Sequence, residues 1–217
     1  MKRVISWACV FLCWCAGCVT MPEDVPDAYL VEKTVEDQKA LDTLASRVIA
    51  KRQETAAGRQ KVSDAEQKAA VEKGRLNLTL KERDLLLERQ KQFRLENDQA
   101  GISETSRQIA EKEIAVESQR AKVEHAEASV DLAKAQVAVS EAELSVLVAE
   151  LKYRKAKIAA AYLEKQKSEG DQKKPEEPYD RKYADYLAKQ KEILAEKQNS
   201  LEKAAMRVKI AEQKLGR

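Results

Sequence analysis

Cys9, Cys13, Cys15 and Cys18 are the only thiols of the chain, and His125 is its only imidazole. Clustered thiols offer disulfide bonding, metal ligation, nucleophilic attack or acylation. No Cys/His metal spacing occurs, because His125 stands far from the cysteines, between Glu124 and Glu127 in a charged helical stretch. It reads as a surface residue. No Ser/His/Asp set and no glycine-rich phosphate loop is present. Glu and Lys at helical spacing are surface ion pairs by default, and Asn77-Leu78-Thr79, a glycosylation pattern, falls within an expected helix. The expectation is a protein with no catalytic residue, no cofactor and no metal site: not an enzyme. What chemistry the thiols serve depends on what surrounds them.

Met1-Lys2-Arg3 is a basic start, followed by the apolar run from Val4 to Gly17. That run is too short to cross a bilayer, which takes about 20 apolar residues. A basic start, a short apolar run and small residues before a cut site describe a secretory signal. Cys15-Ala16-Gly17-Cys18 resembles the lipobox of bacterial lipoproteins, with Cys15 standing where that family usually carries Leu. The resemblance implies a signal peptide over 1–17, lipidation of Cys18 with acyl chains such as palmitate, and a mature chain with no other thiol. Two or more acyl chains anchor stably where one binds only marginally. An uncleaved membrane anchor is the alternative. Val19, rather than Asp, follows the cysteine. By similarity to enterobacterial lipoproteins, this implies a lipid-anchored position in the cell envelope, at the outer membrane facing the periplasm.

The mature chain must be built from elements that need no cysteine. With 35% charged and 5% aromatic residues, six Gly and four Pro, the composition is that of long helices. The formal charge of +3 is interleaved along the chain, which gives no reason to expect nucleic-acid binding. Pro22 and Pro26 mark residues 18–30 as a lipidated, extended tether, with Asp27 a candidate helix N-cap. Breakers cluster at 97–103 (Asn97, Asp98, Gly101) and at 169–178 (Gly170, Pro175, Pro178). They divide the rest into a long helical hairpin over 31–168 with its turn near 97–103, a loop at 169–178, and a third helix over 179–217.

The heptads predict how these helices pack. Ile102, Ile109, Val116, Val123, Val130, Val137, Leu144, Leu151 and Ile158 recur every seven residues, as in a coiled coil. The first helix is less regular, with Thr55 in its stripe, a stutter near Leu76 to Leu80, and Gly58 and Gly74 in its interior. A second stripe on the middle helix, Ala121, Ala128, Ala135, Ala142, Ala149 and Ala156, demands a second partner. Leu187, Leu194, Leu201, Val208 and Leu215 supply one if the third helix folds back, placing Leu215 opposite about residue 132. The fold class is therefore all-α: a long antiparallel coiled-coil hairpin with a third helix on its base. A homo-oligomer, with the second face meeting another chain, is the alternative.

A rod without a concave site acts through its surface. Phe93, Leu95, Ile102 and Ser103 at the tip are the candidate partner contacts, with the leucine-dense stretch 75–88 next. With Arg89, the tip resembles that of periplasmic adaptor proteins, although the spacing to Ser103 is longer and no flanking β-domain is evident. The function expected is a spacer, tether or docking scaffold for an envelope protein or peptidoglycan. An accessory component of a transport or secretion assembly and a holdase-type periplasmic chaperone are the alternatives. The murein lipoprotein, another lipidated coiled coil, ends in a lysine joined to peptidoglycan. This chain ends in Leu215-Gly216-Arg217.

Overall fold

The computed structural model describes residues 21–31, 33–169 and 178–216, with side chains at 167–169 outside the description. The expected signal peptide, 1–17, and Cys18 lie outside the described residues. The described chain is helical, with no strand: a short 3-10 turn Asp27–Leu30, then α1 (Val35–Leu95), α2 (Gln99–Glu169) and α3 (Arg181–Leu215). At 1.5 Å per residue, α1 and α2 are roughly 90 and 105 Å long.

The hairpin closes in fewer residues than the breaker cluster suggests. Asn97 takes the left-handed conformation at φ 58°, which Asn tolerates better than most residues. Asp98 N–H then donates to Phe93 O (3.0 Å) and Asn97 N–H to Arg94 O (3.3 Å), the paired bonds that end a helix in a Schellman motif. Asp98 at once caps α2, its carboxylate accepting from Gly101 N–H at 3.0 Å. Gly101, Ile102 and Ser103 thus belong to the start of α2. Gly101 is no helix breaker here. A Cβ on it would stand 2.7 Å from the Phe93 ring, so the glycine admits that ring.

Register is set by charged pairs and one buried hydroxyl pair. Lys112–Glu82 (2.6 Å), Lys73–Glu127 (2.7 Å), Lys51–Glu143 (2.7 Å) and Arg154–Asp37 (2.8 Å) join α1 to α2 along their length. Thr55, the irregular member of the α1 stripe, lies 2.8 Å from Ser140 Oγ. Its own proton goes to Lys51 O, which leaves Ser140 as the donor. A satisfied polar pair in an apolar seam penalises every other register.

α2 is the spine. Its heptad stripe buries Ile109, Val116 and Val130 against α1, and its alanine stripe receives α3. Ala149 and Ala156 are fully buried there, and Ala128 and Ala142 nearly so. α3 packs on α2 and not on α1, so the base is three helices side by side. α3 also reaches further toward the tip than expected. Lys214 pairs with Glu124, and Glu212 lies 3.8 Å from His125, placing Leu215 beside Lys122 and His125 rather than opposite residue 132. The reason lies at the other end, where Tyr183 packs on Ala156 and Ala159, well before α2 finishes at Glu169.

A methyl group added at Gly74 would meet nothing within 4 Å, and the residue sits mid-helix in α1. Gly74→Ala should therefore stabilise the protein by about 1 kcal/mol, the helix-propensity difference between the two residues. Urea unfolding followed by circular dichroism would measure it. Destabilisation would mean that the outer face of α1 at Gly74 touches something in solution.

Candidate functional site

The tether is the first surface to change character. Where the prolines predict a free, extended segment, residues 21–31 form a strap docked on the base. Val25 and Leu30 are buried in a cluster with Ala156, Ala159 and Tyr183, flanked by Tyr29, Tyr153, Ile158 and Tyr179. Burying these two side chains is worth several kcal/mol. Polar contacts fix the strap lengthwise. Lys152 Nζ donates to Pro22 O (2.8 Å) and pairs with Asp24 (2.9 Å), and Tyr183 Oη donates to Glu23 O (3.0 Å). The Tyr29 ring stacks edge-on against Tyr179 at 6.1 Å and tilts against Tyr162 at 6.4 Å. Asp27 opens the 3-10 turn without a side-chain cap. Thr34 instead caps α1, accepting from Asp37 N–H at 3.0 Å.

The strap carries a proton-linked signature. Burial pushes the Tyr183 phenol up from 10 to about 12, with Tyr179 and the Asp24 and Glu23 carboxylates adding to the shift. The folded protein thus holds this proton more tightly than the unfolded chain does. The contribution of Tyr183 is intact below the unfolded value of 10 and lost as pH rises through 12. Protease cleavage within 21–31 should increase over that interval in the wild type. Tyr183→Phe should lack this step, and an identical profile in both would exclude Tyr183 as its source. Asp24, held below the ordinary carboxyl range by hydrogen bonding and charge from Lys152, is exposed and contributes little.

At the tip the four expected contact residues divide. Phe93 and Ile102 are half-buried, while Leu95 and Ser103 face solvent, Leu95 at 84% exposure. Phe93 lies against Gly101 and under the Arg89 guanidinium, 5.4 Å from its centroid. The Phe93 ring therefore seals the end of the seam, and Leu95 is the apolar side chain the tip presents.

The larger apolar surface lies just below. Val71, Leu78 and Leu85 recur every seven residues on α1, and all are exposed, Leu78 at 60% and Leu85 at 70%. Leu76, Leu80 and Leu86 turn toward the seam and are half-buried. The leucine-dense stretch thus serves two faces, which accounts for more leucines than one seam uses. Val71 is level with the end of α3, and Leu78, Leu85 and Leu95 lie beyond it, where the rod has two helices. Ile114 of α2 is exposed there as well. At the base, Met206 and Ile210 form a shorter exposed pair on α3.

His125 is half-exposed beside Glu212, at an open groove of about 540 Å³ between α1 and α2 that is walled by Lys61, Asp64, Lys68 and Glu72. Among the described residues no group of three or more His, Cys, Asp or Glu side chains is placed to hold a metal ion. No described helix is long and apolar enough to cross a membrane.

These features define the class: an all-α protein with, among the described residues, three long helices that form a two-helix distal half and a strapped three-helix base. Searches against protein families, curated proteins and solved structures find no match.

Proposed function

We propose that this chain is a non-enzymatic, lipid-anchored scaffold of the cell envelope whose distal half docks another envelope protein. The observation that carries the reading is the heptad row Val71, Leu78 and Leu85 exposed on a helix that already has a partner on its opposite face. Three large apolar side chains in register are what a further helix would pack against. Leu95, at 84% exposure, stands separately at the tip. The anchor reading rests on Cys15-Ala16-Gly17-Cys18 and is supported by the start of the strap only a few residues later. Acylated Cys18 would fix the chain to membrane lipid, at the outer membrane and facing the periplasm.

The test has two arms. Cys18→Ser should abolish acyl labelling and membrane retention, and normal labelling would remove the anchor. Leu78→Asp with Leu85→Asp, both on exposed positions, should leave helicity unchanged and eliminate the partner crosslinked in intact envelopes. Unchanged recovery of that partner would remove the docking face. Peptidoglycan recovered in its place would make the protein a tether, many unfolded clients would make it a chaperone, and a dominant channel protein would make it a transport accessory.

A further inference from the structure

The strap fixes where the anchor joins the rod, and that point is not the rod's end. Lys152 holds both Pro22 and Asp24, while α2 continues to Glu169. From there the strap runs toward the base, with Tyr29 reaching Tyr162. At 1.5 Å per residue, α2 extends about 25 Å beyond the level where the chain from Cys18 meets it. The four peptide steps from Cys18 to Pro22 span at most about 14 Å.

These two lengths conflict with an upright rod. Acyl chains attached directly to Cys18 would hold that residue at the hydrocarbon boundary, so an axis along the membrane normal, base down, would press the end of α2 about 10 Å into hydrocarbon. That end is exposed Glu164, Lys165 and Gln166, two charges and an amide that are excluded from hydrocarbon.

We infer that the anchored rod lies inclined, with the flank bearing the strap turned to the lipid surface. This rests on the acylation of Cys18 proposed above. The ratio of the two lengths tilts the axis at least about 55° from the normal and limits the tip to roughly 60 Å above the lipid. A second observation supports the same flank. Met21, Val31 and Val35 are large apolar side chains at 52%, 75% and 73% exposure, on and beside the strap. Exposed apolar side chains suit the interface of a bilayer, where they enter among the headgroups.

The experiment uses the full-length acylated protein on a supported bilayer of phosphatidylethanolamine and phosphatidylglycerol, with layer height read by neutron reflectometry. Because the mature chain would hold no other thiol, Val31→Cys and Leu95→Cys can each carry an environment-sensitive dye. The expected result is a layer no taller than about 60 Å, with a blue shift for the dye at Val31 and none at Leu95. An acylated protein forming a layer near about 100 Å, or a dye at Val31 unaffected by lipid, overturns the inclined mounting alone. Intact mass separates the two readings: a mature chain without acyl groups on Cys18 removes the anchor and this inference together.

Discussion

Tyr183→Ala should release the strap and cost about 3–5 kcal/mol of stability, the range for truncating a buried aromatic side chain. Tyr183 is 1% exposed, the least accessible large side chain described. It contacts two separate parts of the chain at once: the ring fills the space between the strap and the alanines of α2, and the hydroxyl donates to Glu23 O. Truncation opens a cavity beneath Val25 and Leu30 and leaves the Glu23 carbonyl without its donor. Tyr183→Phe keeps the ring and should cost only about 1 kcal/mol, the net worth of one hydrogen bond. Amide exchange resolved by peptide gives the reading. Protection over 21–31 should vanish in Tyr183→Ala and persist in Tyr183→Phe. The distal pairs, such as Lys112 with Glu82, should be unaffected in both. Loss of protection along the whole rod would mean that base and distal half unfold as one unit.

Ala156→Leu should also destabilise the base, by the opposite route. Ala156 is fully buried at the junction of α2, α3 and the strap. Three added carbon atoms have no space there, and overpacking costs typically about 1–3 kcal/mol. The same substitution at Ala121, half-exposed near the end of α3, should be nearly neutral. Thermal unfolding of the two variants gives the comparison. Equal effects at the two sites would show that α3 does not lie tightly on the alanine stripe.

Much of this architecture is legible in the sequence because it rests on period. The Ile102 stripe and the alanine stripe are long enough to define two faces of one helix, and those two faces do receive α1 and α3. The strap is not legible, because Val25 and Leu30 show no periodicity and Pro22 and Pro26 suggest extended chain. Its stability comes from Tyr183, far away in sequence. The breaker cluster makes the hairpin turn look longer than it is, because Gly101 resembles a helix stop, whereas its role is to admit the Phe93 ring. The reach of α3 escapes a count that starts from the end of α2, because α3 takes its register from the contact of Tyr183 with Ala156.

The candidate surface shows a similar limit. Composition marks 75–88 as richer in leucine than one seam needs, and only the side-chain exposures separate Leu78 and Leu85 from Leu76, Leu80 and Leu86. Phe93, the most conspicuous tip residue by type, is occupied within the chain itself.

Site-specific photocrosslinking in intact envelopes tests the docking claim most directly. A photoreactive residue would replace Leu78, Leu85 or Leu95 in the distal half, and exposed Lys197 or Lys203 on α3 as controls. The account predicts an adduct of one common mass at the three distal positions and none at the two controls. Adducts at Lys197 and Lys203 with none at Leu78, Leu85 and Leu95 would contradict it, placing the working surface on the base.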